Sequence, residues 1–261
     1  MTLTASSGLD TRVTEFMTDL EDHPVFTNDY FKFLEHCAWN ARTYEFHRTN
    51  FFFRTEGTIK GIAAVCARAA ANDDADTLTL FAQILNEEAG SGDPGQCHEL
   101  LMESAHNLHG AYEFGLEPLR VKQSRDDALV IKETRAYRER TRELVNGSYN
   151  QMLGVAMALE GHADHMLKLC RKAFRATTGT LPAQRYLDEV EIYFNVHVGD
   201  AGVEERHAAD ARRCVRNNVR SDSDMDEIAY GATETLTVQK TMWDAMYEHV
   251  CKMNAGAAHG K

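Results

Sequence analysis

Apolar residues recur along most of this chain at three- and four-residue intervals, the period that gathers them on one face of an α-helix. From Asp29 to Phe53 the recurrence of Tyr30, Phe33, Leu34, Cys37, Ala41 and Tyr44 predicts one helix. A small-residue helix follows from Ile59 to Ala71, and another from about Ala75 to Glu88. Gly90, Gly92 and Gly95 then break the pattern, with Asp93-Pro94 as a cap and first-turn proline for a helix continuing through His109. Ser124-Arg-Asp-Asp opens a charged helix to about Asn146, and the stretch from Tyr149 to Arg175 is apolar enough to be central. After a turn from Thr178 to Pro182, a helix containing Tyr193 and Phe194 bends near Gly199 and Gly202 and resumes to about Val219. The SDSD run beyond it starts a last helix that reaches Met253. Pro24, Pro94, Pro118 and Pro182 each stand where one pattern stops or another begins. With no linker, repeat or low-complexity tract, the chain reads as one all-α domain over residues 23–253, with a lead-in over 1–22 and a flexible tail over 254–261. About eight to ten helices are expected.

Composition narrows the class. At 261 residues with 43% hydrophobic and 26% charged residues, the chain can bury a sizeable core. A formal charge of -12 and a pI near 5.4 argue against nucleic acid or an anionic membrane as a partner, since both would be repelled over most of the surface. No uninterrupted apolar run approaches the roughly 18 residues of a membrane span, and the start MTLTASSGLDTRVTEF lacks the regions of a signal peptide, so a cytoplasmic location is expected. Cys37, Cys66, Cys97, Cys170, Cys214 and Cys251 are scattered singly, which points to reduced, mostly buried thiols and away from a zinc ribbon.

The candidate chemistry lies in glutamates and histidines. Glu204 and His207, three residues apart, share a helix face and can reach one metal ion. In HVGDAGVEERH, His197 and Asp200 extend the stripe if the helix is continuous. Such a stripe is also what a solvated amphipathic face looks like, but the preceding Tyr193 and Phe194 turn it inward, where unpaired carboxylates are costly. Glu88 and His98 flank the glycine-rich break in EEAGSGDPGQCH, which alone reads as a connection. Glu160 sits in the otherwise apolar MALEGHADHM, where an arginine partner or a surface position is the plainer reading. Carboxylates with imidazoles and no thiolate suit iron or manganese better than structural zinc.

Together HPVFTNDYFKFL, NEEAGSGDPGQCHELL, ALEGH and IYFNVHVGDAGVEERHAAD, spanning His23 to about Arg213, resemble the haem-oxygenase-like di-iron oxidases and oxygenases. The resemblance implies a haem-oxygenase-like helical bundle without haem, its iron site set between three core helices. The first such helix gives a glutamate and a histidine, the second a glutamate, and the third H-x-x-x-D-x-x-H. Carried over, these are Glu88 and His98, then Glu160, then His207 as the closing histidine, with Glu204 in place of the aspartate. The first histidine of the signature departs from the pattern: His197 stands three residues early, as though Asp200-Ala201-Gly202 were inserted, and in an ungapped alignment Asp200 takes that place. His197 is favoured and Asp200 stays open. A glutamate ten positions before the histidine resembles the N-oxygenating members, which convert small amines or guanidines to hydroxylamine, nitroso or nitro products in natural-product biosynthesis. Other relatives carry out desaturation or oxidative carbon–carbon cleavage of amino or fatty acids.

The resemblance thus implies two Fe(II) ions, dioxygen as cosubstrate, a small-molecule amine as substrate and an external reductant or electron-donor protein. No nicotinamide or flavin fingerprint is visible, because GSGDPG is not a strand-to-helix G-x-G-x-x-G. A homodimer is the default for a soluble helical enzyme. A helical iron-binding protein without oxygen chemistry is the alternative from another class. Among the remaining residues, His162 and His165 read as core or outer partners of the site, and His106 and His109 as partly exposed. Arg135 to Arg142 reads as a salt-bridged face, Tyr44 to Phe53 as core, and Glu56 as an outside candidate for a further metal-directed carboxylate.

Overall fold

The longest apolar stretch becomes the axis of the bundle. In the computed structural model, which describes residues 3–36, 39–200 and 202–258, helix α8 (Tyr149–Thr177) starts at Ser148, whose side chain accepts the Gln151 amide. Its 29 residues extend about 43 Å. It lies along α12 (Asp222–Ala258) and α11 (Glu204–Asn218), and its flanks meet α2 (Asp29–His36), α7 (Lys132–Val145) and α10 (Glu191–Val198). The α8–α12 crossing brings backbones into contact, since a Cβ on Gly154 would lie 2.1 Å from the Ile228 carbonyl oxygen. Around this axis α3 (Ala41–Thr55) packs on α6 (His98–Phe114) and α7, while α4 (Thr58–Ala71) pairs with α5 (Ala75–Glu88), which continues onto α11. Among the described residues there is no strand, and no helix is long and apolar enough to cross a membrane. The all-α, single-domain architecture is therefore as expected, but among the described residues the α-helical segments number twelve rather than eight to ten, one of only three residues (α9, Ala183–Arg185).

Several boundaries fall elsewhere, each for a local reason. The helix expected over 29–53 is two, because Asn40 caps α3: its side chain accepts the Thr43 amide at 3.1 Å while the Thr43 hydroxyl accepts the Asn40 amide at 2.9 Å. Of that junction, Cys37 lies outside the described residues. The charged helix starts at Lys132 rather than near Ser124. Buried Asn50 of α3 takes the Leu129 carbonyl, the Ile131 amide and the Thr134 hydroxyl, holding 129–131 out of helical pairing. Asp93 and Pro94 open a short 3-10 turn (Pro94–Gln96), and α6 begins only at His98 and runs to Phe114. Within the segment assigned as a lead-in, Leu3–Glu21 is helix α1, which packs on α11 and α12, buries Val13 and Met17, and joins Arg12 to Asp222 and Asp226. The last helix continues past Met253 to Ala258.

His106 and His109 are not partly exposed but fully buried. The face of α6 that carries them is covered by α3, α8 and α10: His106 stacks on Phe51 and meets Phe174 edge-on, while His109 packs on Phe174 and Tyr44. Burial keeps both imidazoles neutral, lowering His109 to about 4. His162 is likewise buried, against Phe26, Phe31 and Trp243, and His165 donates to the Phe26 carbonyl at 3.0 Å. Of the described cysteines, all free, Cys66, Cys170 and Cys214 are buried, Cys97 is half-buried and Cys251 exposed.

Two substitutions on α8 test the tight crossing. Gly154→Ala forces a methyl group against the α12 backbone and is expected to destabilise the protein by about 1–3 kcal/mol. Gly161→Ala, where an added Cβ meets nothing within 4 Å, is expected to stabilise it by about 0.8–1 kcal/mol through helix propensity. Urea-unfolding midpoints read both signs, and equal stabilisation by the two changes would show that the crossing can open without cost.

Candidate metal centre

Four helix ends and the middle of α8 converge on one buried point. Glu88 is the last residue of α5 and His98 the first of α6, joined by a tight connection in which Asp93 accepts the Gly95 amide. Glu160 projects from α8. A π-helical turn (Tyr186–Val190) feeds α10, whose penultimate residue is His197. The chain then leaves helical geometry, and α11 opens with Glu204, placing His207 in its first turn. Gly202 allows this return, since a Cβ there would lie 2.3 Å from the His197 carbonyl oxygen. Glu88, His98, His197, Glu204 and His207 are all buried, and the Glu160 side chain is 12% exposed.

Ligand atoms of Glu88, His98 and His197 lie within 4.8 Å of one another, and so do those of Glu88, Glu204 and His207. Glu88 belongs to both groups. His98 Nδ1 is 3.1 Å from Glu88 Oε1. His197 Nε2 stands 3.8 Å from Glu204 Oε1 and 4.0 Å from Glu88 Oε1, and His207 Nδ1 stands 3.7 Å from Glu160 Oε2. These last three separations are too long for hydrogen bonds, yet close to the roughly 3 Å or more between neighbouring ligands on an ion with bonds of about 2.1 Å. Asp200, the alternative to His197, lies exposed in the break between α10 and α11 and is in neither group. Glu56 is engaged by Arg125, Arg138 and Lys60, and the arginine stretch of α7 is largely ion-paired or bonded to backbone carbonyls.

The donor set fits a cation. Burial, reinforced by the Glu88 carboxylate, pushes Glu160 up to about 8. Burial and then the Glu160 and Glu88 charges push Glu204 well above the usual carboxylate range. Glu88 is also desolvated, but the hydrogen bond from His98 brings it below its ordinary value. Of the histidines, His197 is prepared as a neutral ligand. Burial lowers His197 to about 4, and its Nδ1 donates to the Tyr193 carbonyl at 2.7 Å, leaving the Nε2 lone pair directed at the carboxylates. His207 mirrors it: Nε2 donates to Glu87 Oε2 at 2.7 Å, and Nδ1 is buried without a hydrogen-bond partner. Glu87, also held by Arg206 at 2.6 Å, thus orients His207 from outside. Glu87 is not among the residues that the sequence pattern singles out, and its one local signal is the doubled acid Glu87-Glu88 at a helix end.

A cavity of 670 Å³ opens onto the cluster. Glu88, His98, Glu160, His197 and Glu204 line it, along with apolar walls that include Phe81, Met102, Leu159 and Met166.

The model of a family described as iron-containing redox enzymes matches residues 49–240. A cadd-like protein of unknown function from Nostoc punctiforme has a similar structure, with a TM-score of 0.70 at 13% identity over 92% of this chain and 98% of that one. A domain of unknown function with a heme oxygenase-like fold from Shewanella denitrificans superposes with a TM-score of 0.61 at 15% identity, covering 98% of this chain and 97% of that one. These likenesses show the haem-oxygenase-like fold. A search of curated proteins finds no match.

Metal-free protein should show the electrostatic cost of the site as a pH dependence. With a folded value of about 8 for Glu160 against an ordinary 4.5, the native state holds a proton that the unfolded state has lost across this window, so stability falls as pH rises through it. Glu160→Gln removes this contribution, and its stability advantage over the parent protein should grow from pH 5 to pH 8. Parallel pH profiles in thermal unfolding would contradict the assignment. Glu87→Ala tests the outer support: ferrous affinity should fall by about 10–100-fold with helical content unchanged, read by anaerobic titration and circular dichroism.

Proposed function

We propose, starting from a chain that belongs to the iron-containing redox enzyme family, that Glu88, His98 and His197 hold one iron ion, and that Glu204, His207 and Glu160 hold a second with Glu88 between them. The pair would activate dioxygen to oxygenate the nitrogen of a small amine or guanidine. The observation that carries the reading is the shared carboxylate, since Glu88 belongs to both groups of converging ligand atoms. Two ferrous ions, when bound, supply the electrons and the open coordination positions for dioxygen reduction that amino-acid side chains lack.

The chain's own residues prepare that chemistry. Tyr193 and Glu87 orient the rings of His197 and His207, leaving Nε2 of the one and Nδ1 of the other toward the cluster. Glu160 and Glu204, held protonated by burial, release their protons when they become ligands. The apolar walls keep bulk water from the reacting nitrogen. Glu99 lines the cavity one residue beyond His98 and makes no ion pair among the described residues, leaving a carboxylate to receive an amine or guanidine N–H. Hydroxylating an amine consumes dioxygen, two electrons and two protons and yields hydroxylamine and water, so the electrons come from an external reductant or donor protein.

The apolar walls also favour a second reading, desaturation or oxidative carbon–carbon cleavage of an amino or fatty acid. Anaerobic titration should find close to two ferrous ions per chain, and Glu160→Ala or His207→Ala should lower that number while the helical spectrum is kept. Exposure of the loaded protein to labelled dioxygen with a reductant and a panel of small amines should then place the label on nitrogen. Unlabelled dehydrogenated or shortened products would select the second reading. Iron uptake with no substrate-dependent oxygen consumption across amines and acids would make the protein an iron binder instead.

A further inference from the structure

Cations inside a helical bundle ordinarily find a carboxylate, and Arg125 and Arg138 beside the cavity show the rule. Arg138 donates to Glu56 at 2.7 Å and to the Phe53 carbonyl at 3.0 Å, and Arg125 takes the other oxygen of Glu56. Arg54, one residue before the end of α3, lines the same cavity and breaks the rule. It has no ion pair or hydrogen bond among the described residues, and its Nε is buried without a partner. Three aromatic rings hold it instead. The guanidinium carbon stands 5.6 Å from the ring centroids of Tyr137 and Trp243 and 6.0 Å from that of Phe51. Ring faces stabilise a cation without consuming its N–H donors, so the fork that would bind an acid is kept open on the cavity side. Its positive charge also acts on Tyr193, whose ring lies 4.8 Å from that of the metal-facing His197.

We propose that Arg54 is the anion anchor of the cavity, receiving the carboxylate of a substrate whose apolar body lies along the walls toward Glu88, Glu160 and Glu204. This rests on reading the cavity as the substrate chamber. The surrounding charge favours the same class of ligand. Outside the metal cluster the lining carries Lys60, Arg125, Arg135, Arg138 and Arg142 besides Arg54, against Glu56, Glu99 and Glu139. In a chain of net charge -12 this is a local inversion, and it steers an anion to the mouth. One open guanidinium matches one carboxylate by a two-pronged hydrogen bond, whereas a phosphate dianion would require more donors than the inner wall offers. Arg125 and Arg138, engaged by Glu56, Arg135, bonded to the Arg125 and Asp127 carbonyls, and the exposed Arg142 shape the mouth, whereas Arg54 lies on the inner wall.

Three probes of one shape separate charge from fit: 4-phenylbutanoate, 4-phenylbutan-1-ol and 4-phenylbutylamine, titrated calorimetrically into metal-free and into anaerobic iron-loaded protein. The wild-type protein should bind the carboxylate at least tenfold more tightly than the alcohol in both forms. Arg54→Met should abolish that preference, and Arg54→Lys, which keeps the charge but not the fork, should restore part of it. A preference that survives Arg54→Met, or that exists only with iron bound, would overturn the assignment and transfer the carboxylate to the metal. Failure of all three probes to bind would overturn the chamber reading and the anchor together, while the iron count is measured independently. Should the methionine variant not fold, the Nε–H resonance of Arg54 in wild-type protein, identified by its loss in Arg54→Lys, supplies the test. It should shift with phenylbutanoate and not with phenylbutanol, and an unmoved resonance would refute the proposal.

Discussion

Three largely buried carboxylates that repel one another are the constraint to which the rest of this structure responds. Glu88, Glu160 and Glu204 come from α5, α8 and α11, and no lysine or arginine pairs with them among the described residues. Proton uptake by Glu160 and Glu204 relieves the repulsion in the metal-free chain. Bound cations would relieve it more completely, because they would also use the lone pairs of the neighbouring imidazoles. The stability that holds this arrangement together comes from the contact of α8 with α12 and from aromatic packing around Phe174 and Trp243. Rigidity at a distance fixes helices whose ends would otherwise move apart.

What the sequence revealed follows from where the physical signal was local. Glu204 and His207 share a face at i and i+3, so their proximity could be read from spacing, and Glu160 was conspicuous as an acid in an apolar run. Its approach to His207 depends on how α8 and α11 pack, and no short window contains that information. The same limit hid the role of Glu87, which reaches a histidine 120 positions away, and the burial of His106 and His109, whose covering helices come from distant segments. Arg54 was invisible for the complementary reason. Its significance lies in a missing carboxylate partner, and absence of a partner cannot be seen before the chain is folded.

The segment from His197 to His207 shows why a pattern can indicate the right residues through an incomplete geometric argument. A continuous helix would place His197, Asp200, Glu204 and His207 on nearly one face, but His197 and Glu204 would then be about 10.5 Å apart along the axis. Groups so separated would not converge on one cluster. The break between α10 and α11 removes that rise, bringing His197 Nε2 to 3.8 Å from Glu204 Oε1 and leaving Asp200 exposed outside the turn. The offset of three residues that disturbed the signature in the sequence is therefore accommodated as a turn, with Gly202 packed against the His197 carbonyl, and not as extra helix.

The two halves of the cluster are consequently unequal. His207 is held by Glu87, which is itself fixed by Arg206, and stands among Glu88, Glu160 and Glu204. On the other side His197 is oriented by a backbone carbonyl, while His98 has only Glu88, a fellow member of the cluster, as its hydrogen-bond partner among the described residues. A ring whose only hydrogen bond is to another prospective ligand is not held from outside the cluster, whereas His207 and His197 are. Preorganisation thus favours the carboxylate-rich side around His207, where the metal-free state also concentrates the most unfavourable charge. Ordering of His98 and the α5–α6 turn is left as the adjustable step, placed beside the cavity through which a ligand would enter.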